Sequence, residues 1–298
     1  MSFRLNTKEP VAVGLKRLVL AEIDSAAKQL GSVNQRDPGR AIHAARVSIK
    51  KIRCVIRLVR PELGHAFEKH DRRLRDLGRE LSAIRDSAAV VDTLDSLSVG
   101  TGGKSSKKAG LRHQLVKQEH HIEHASSTRQ TMARVADTLR AFGEKVEARP
   151  LDNFGFAALA RGLCTGFRAA RGAMKGAIHH PSPDNYHYWR KKVKNHWYDL
   201  QLVEGYWNDA MRKRARILSE LESLLGHYHD LSIFQIRLTM QAKAENSGDT
   251  STLLGRAADS QRKLRARALL LGHRLFDEAP AHFGQNVSEL GPRREVQR

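Results

Sequence analysis

Apolar residues recur at three- and four-residue steps through most of the chain, which is the period of a helix, and no stretch alternates as a strand would. Leu15, Val19, Ile23 and Leu30 mark a first helix that Gly31 should stop. Pro38 suits the opening of a second, which runs to about Arg60 before Pro61 forbids continuation. The pattern predicts further helices over roughly 64–80 and 83–98, a flexible Gly, Ser and Lys-rich loop over about 98–108, and a long polar helix over about 109–147. After Pro150 the pattern restarts. Helices are expected near 153–178, 184–205, 208–225, 228–244 and 250–277, with Pro181, Pro183, Gly205, Gly226 and Gly248 between them. The last twenty residues lack apolar periodicity and read as a loosely ordered tail.

The restart is a duplication. Sliding the chain against itself by 144 residues pairs His43 with His187, Arg46 with Arg190 and Lys50 with Lys194, then Leu58 and Val59 with Leu202 and Val203. The register continues without a gap through Ala66, Lys69, Arg72, Leu74, Leu77, Leu81 and Asp86, which meet Ala210, Lys213, Arg216, Leu218, Leu221, Leu225 and Asp230. That makes 12 identities over residues 43 to 86, where chance would give about three. The fold class expected is therefore all-α, built from two pseudo-symmetric helical halves. Residues 1–148 form the first half, 149–278 the second and 279–298 the tail, together one domain. Matched leucines need only a shared core, but matched cations suggest that each half presents the same basic surface and that a pseudo-twofold would bring the two together.

On a helical wheel, Arg46, Lys50, Arg53, Arg57 and Arg60 fall within roughly a 100° arc from His43. Ile42, Ile49, Ile52, Ile56 and Val59 take the adjoining face, so this helix packs through its isoleucines and displays cations beside them. No Asp or Glu lies between Asp37 and Glu62, whereas an ordinary solvated face mixes both signs at i, i+4. The second copy repeats His187, Arg190 and Lys194, flanked by Lys191 and Tyr198, with Trp197 and Gln201 in place of the outer arginines. Cations one and two turns apart, about 5 to 11 Å, suit a flexible chain that carries a charge on every unit. Taken singly, His43 and His187 read as helix-packing histidines; their shared position beside the cations points instead to the binding surface.

Charge supports an anionic partner. Lys and Arg number 52 against 32 Asp and Glu, a net charge of +20, and such an excess repels itself unless an anion is near. Cys54 and Cys164 show no paired spacing, the N-terminal MSFRLNTKEP has no apolar core before a cleavage site, and no 18-residue apolar run occurs. A cytoplasmic protein without a membrane anchor is the expectation.

Other chemistry finds less support. His227 and His229 are two apart and cannot share a helix face as metal ligands, and His120 and His124 sit on a polar helix as solvated residues. Asp86 and Asp230 read as caps or as partners that orient an arginine. Gly103, Lys104 and Ser105 resemble the end of a phosphate-binding loop, but Ser98 stands where its first glycine belongs. A phosphatase or polyphosphate hydrolase using His43 or His187 lacks an acid or metal partner, so neither catalysis nor a cofactor or metal is expected. Nonspecific binding of RNA or DNA stays open through counterion release, although no helix-turn-helix or zinc finger is present and aromatics are only 6%, few for stacking single strands.

The two segments HAARVSIKKIRCVIRLV from His43 and HYWRKKVKNHWYDLQLV from His187, followed by LSAIRD and LLGHYHD, resemble the CHAD family, the conserved histidine α-helical domain. The resemblance covers about residues 8 to 277. It implies two helical bundles whose basic helices line a central groove that binds inorganic polyphosphate without catalysis, and an association with polyphosphate granules. It carries binding roles to His43, Arg46, Lys50, Arg53 and Arg57 and to His187, Arg190, Lys191, Lys194 and Tyr198, with Arg72, Arg85 and Arg216 at the rim. His229 stands opposite Arg85 and Trp197 opposite Arg53, so the halves are not equivalent. Some relatives add a triphosphate tunnel enzyme with a Glu-x-Glu-x-Lys strand; Glu220 and Glu222 come nearest here, but Leu224 replaces the lysine.

Overall fold

The chain, in a computed structural model that describes residues 3–31, 37–85, 126–149, 154–242 and 248–291, is helical in every regular element so described. The order is α1 (Val11–Gly31), α2 (Pro38–Leu58), a short α3 (Arg60–Leu63), α4 (Ala66–Arg85), α5 (Ser126–Ala148), α6 (Phe156–His179), α7 (Pro183–Leu202), a 3-10 turn (Glu204–Tyr206), α8 (Asp209–Ala242), α9 (Gly248–Phe276) and α10 (Pro280–Ser288). The all-α class expected from the periodicity is the observed one.

The duplication shows at the level of turns. Asp37 caps α2 by accepting from the Arg40 amide at 2.9 Å, with Pro38 at the first helical position. Ser182 caps α7 by accepting from the Asn185 amide at 3.2 Å, with Pro183 in the same place. Each such cap satisfies an amide that helix geometry leaves without an internal partner. Both helices then end at a valine of nearly identical backbone, Val59 (φ −92°, ψ 16°) and Val203 (φ −98°, ψ 16°), and a single turn of helix follows each.

α2 packs between α1 and α4, with α5 against α1; α7 packs between α6 and α8, with α9 against α8. The halves meet where α2 touches α7 and α6. One core runs through both, from Leu15 and Ile52 in the first half to Phe167 and Leu271 in the second. A glycine on α6 allows this close approach, since a methyl group at Gly162 would lie 2.8 Å from Leu58 Cδ2 of α2; within the second half, one at Gly166 would collide with the Asp199 carboxylate of α7.

Three expectations change. The helices predicted over 208–225 and 228–244 are one: Gly226 lies mid-helix, packed against Arg190, where even a Cβ would make only ordinary contact at 3.6 Å. The helix expected to end near 80 continues as α4 to Arg85. The tail is not loose over its first part: α10 packs on α6, with Phe283 and Val287 buried at i, i+4 and the Phe283 ring stacked on Phe167 at 4.5 Å. The sequence hides this because one pair of apolar residues is too short a pattern to register as periodic. α9 packs chiefly on α8, which leaves a flank of α6 for α10 to cover. The loop predicted over 98–108, with Lys104, and the residues Asp86, His120 and His124 lie outside the described residues.

Phe283→Ala should lower stability by about 3–5 kcal/mol, the usual cost of removing a buried phenylalanine. Urea unfolding followed by circular dichroism checks it; a loss under about 1 kcal/mol would mean that α10 is not part of the core.

Candidate polyanion-binding site

The apolar faces of α2 and α7 fix how each helix is rotated. Ile42, Ile49, Ile52 and Ile56 are buried on α2, and Tyr186, Trp189, Val193 and Leu200 on α7. The cations one step round each wheel are thereby carried to the flank where the two helices meet. Lys50 shows the result: the charges that bear on it are Arg46 from its own helix and Arg190 and Lys194 from α7, with Glu222 of α8 opposing them. Its ammonium is held down to about 8, first because protein crowds it and then because these three cations repel it. Lys50 keeps an open face to solvent despite that crowding. Lys50 of the first stripe therefore stands near Arg190 and Lys194 of the second.

The stripes are not unneutralised, as the run from Asp37 to Glu62 suggests; the acids come from facing helices. Asp71 of α4 takes Arg53 in a two-pronged pair, Nε to Oδ1 at 2.8 Å and Nη2 to Oδ2 at 3.0 Å, and Arg53 holds the Asp71 carboxyl below its usual value against the opposing effect of burial. Glu22 of α1 accepts from Lys51 Nζ at 2.7 Å and from the Ser48 hydroxyl at 2.6 Å. Glu222 of α8 pairs with Lys194 at 2.9 Å and stands 3.9 Å from Arg190. Arg57 points to the joint between the halves: its Nη2 is closed off from solvent, and it acts on both Asp71 and Asp199. Asp199, itself buried, accepts the Cys54 thiol at 2.9 Å, and burial pushes its carboxyl up to about 6 against the pull of Arg57. Tyr198 is buried at the same joint; burial and then Glu222 raise its hydroxyl well above the usual phenol value.

At the outer end of α7, His187 stacks on His229 of α8 with ring centres 4.0 Å apart. Both are held down to about 4, by burial first, then for His187 by Lys191 and Arg190 and for His229 by His187 itself and Arg190. They are neutral at pH 7. Exposed Lys191 and half-buried Lys192 flank the Tyr188 ring, 5.9 and 5.1 Å from its centre. Arg190 Nε is closed off without a hydrogen-bond partner among the described residues.

The remaining candidates are spread out. His43 is exposed and Arg46 half-buried beside Lys50. Arg72 opens onto a different hollow, between α4 and α5, with Lys69, Arg73 and Arg134. Arg216 is exposed on α8, and Arg85 ends α4 with its side chain outside the described ones. Sequence reasoning missed Glu22, Asp71 and Asp199, and weighed Glu222 only as part of a strand motif. A signal existed at two of these: at the 144-residue offset Asp71 and Arg53 meet Ala215 and Trp197, so an acid and its cation change together, and Glu222 meets Gly78. Among the described residues no group of three or more His, Cys, Asp or Glu could hold a metal ion, and no helix is long and apolar enough to cross a membrane.

This arrangement, a duplicated helical unit whose histidine-led basic helices face each other, defines a class. The CHAD domain model matches residues 18–239, and the chain belongs to the CHAD domain family. The fold is similar to that of the crystal structure of the CHAD domain from the plant Ricinus communis, with a TM-score of 0.57 at 16% identity, covering 96% of this chain and 93% of that one. No curated protein matches the sequence.

The histidine stack, together with buried His196, which burial holds down to about 3, should make the protein acid-sensitive. A native pKa of about 4 below an unfolded value of 6.5 means that the unfolded chain binds more protons between those pH values, so stability falls as pH drops through that window. His229→Phe keeps a flat ring on His187 but removes one titrating group. Its urea midpoint should fall less than the wild-type midpoint between pH 7 and pH 5, and equal slopes would show that the stack is not the sensor.

Proposed function

We propose that the protein binds inorganic polyphosphate without turning it over, across the surface where α2 and α7 meet. The observation that carries this reading is the place of Lys50, crowded by protein and then by Arg46 of its own helix and by Arg190 and Lys194 of the other half of the chain. Membership of a family linked to polyphosphate binding supports it. A polyphosphate chain brings about one negative charge per phosphate on a flexible backbone, so successive phosphates can meet Arg46, Lys50, Arg190 and Lys194 in turn. The acids behind these cations fix their positions without removing the local excess of positive charge, and arginine adds two-pronged geometry.

Long-chain polyphosphate should outcompete RNA and duplex DNA at equal phosphate concentration and near-physiological salt. Equal or tighter binding of nucleic acid would replace this reading with nonspecific nucleic-acid binding. Polyphosphate incubated with the protein and magnesium should keep its length distribution on a gel; release of phosphate that a His43→Ala variant abolishes would make the protein a hydrolase.

Neutralising Arg46 and Lys50, or Arg190 and Lys194, should each weaken binding and lower the slope of log K against log salt by roughly 0.7 to 0.9 per lost contact. Both double variants should stay folded, because none of these side chains belongs to the buried core.

Lys50 also sets a pH dependence. With its pKa near 8, it is mostly charged at pH 7 and mostly neutral at pH 9, so affinity should fall over that range by roughly tenfold, the worth of one charge-assisted contact. Lys50→Arg stays charged throughout and should flatten the profile; a variant as pH-dependent as the wild type would remove Lys50 from the site.

A further inference from the structure

Beside the basic cluster lies a hollow of about 340 Å³ whose walls do not suit a bare phosphate chain. Phe3 and Tyr198 form part of it, both buried, with their rings edge to face at 6.4 Å. Trp197, half-buried, lines it too, alongside Gln201 and Glu204. Two cations stand over these rings: Lys194 Nζ lies 5.3 Å from the centre of Trp197, and Lys51 Nζ lies 5.2 Å from that of Phe3. Aromatic walls give a phosphate chain nothing, and Glu204 repels it. The same walls suit a flat heterocycle, because every nucleobase has a π-face that stacks on indole.

We propose that this hollow is a base-binding subsite and that the protein takes a purine nucleoside polyphosphate, with its ring against Trp197 and its phosphates on Lys194 and Lys50. The proposal rests on the phosphate-binding reading above for its phosphate half and on the hollow for its base half. Lys194 joins the two, since it bears on Lys50 on one side and lies over the Trp197 ring on the other. Glu204 can only accept hydrogen bonds, which suits the exocyclic amines of purines, and the Gln201 amide can donate to a ring nitrogen or oxygen. The hollow falls within the size range of small-molecule sites.

Charge alone predicts the opposite preference, because tripolyphosphate carries more negative charge than a nucleoside triphosphate. The test is isothermal titration of the full chain, without magnesium, with tripolyphosphate, ATP, GTP, UTP and a short single-stranded RNA at matched phosphate concentration. ATP or GTP should bind about tenfold more tightly than tripolyphosphate. Trp197→Leu should abolish that advantage while tripolyphosphate affinity stays within about twofold, and Gln201→Leu should reduce it if the tryptophan variant fails to fold. Purine nucleotides no tighter than UTP or tripolyphosphate in the wild type would overturn the subsite and leave the polyphosphate reading standing. If neither tripolyphosphate nor long-chain polyphosphate binds, the earlier reading falls first. RNA tighter than ATP would assign the hollow to a nucleic-acid strand instead.

Discussion

Arg46 and Lys50 from α2 stand near Arg190 and Lys194 from α7, and burial first, then the repulsion of these three cations, holds the Lys50 ammonium near 8. A lysine whose native pKa lies below its unfolded value opposes folding while it is charged. That opposition fades only as pH rises from about 8 toward the ordinary lysine value, or when an anion arrives. Glu222 offsets only part of this repulsion at the joint between the halves, and under the proposed function the closely spaced negative charges of a bound ligand would offset more of it. Binding and folding draw on the same interaction with opposite signs.

The rest of the joint is built to hold these charges in place. Asp71, Glu22 and Glu222 each come from a helix packed against a basic one, and each grips a cation from behind. In pairs as buried as these the cost of removing both charges from water offsets much of their attraction, so their main effect is orientation. Arg53, gripped at two points by Asp71, is fixed in direction in a way a free side chain is not. The apolar support lies one layer deeper. The isoleucine face of α2 fixes its rotation, and Gly162 and Gly166 let α6 lie close against α2 and α7 respectively.

Much of this was legible in the sequence, for a physical reason. A helix of period 3.6 that buries isoleucines must place the residues one step round the wheel on a known flank, so the convergence of Lys50 with Arg190 and Lys194 followed from the wheel and the repeat together. What stayed hidden depends on contacts between helices far apart in sequence. Asp71 is eighteen positions from Arg53, and Glu22 is twenty-nine from Lys51; no local pattern reports that such a carboxylate faces a given cation. Gly226 misled for a similar reason. Read locally, glycine ends a helix; in the fold it lies inside α8, whose packing against α7 and α9 carries the helix through it. The short helix α10 went unseen because its place depends on the flank of α6 that α9 leaves open.

The differences between the two copies carry as much information as the identities. Where the first copy has the pair Arg53 and Asp71, the second has Trp197 and Ala215; where the first has Gly78, the second has Glu222; where the first has Val55, the second has Asp199. The first set gives α2 four arginines, with no acid at Gly78 to partner Lys50. The second set gives α7 an aromatic wall, a carboxylate that grips Lys194, and a buried acid that meets Arg57 across the joint. Each replacement changes a cation or its partner, while the leucines beneath keep their positions. A duplicated unit under selection for packing alone would have no reason to change its polar residues in matched pairs. The pairing of Trp197 with Ala215 therefore argues that the second half has moved away from pure charge and toward a surface that a flat, uncharged ring can also occupy.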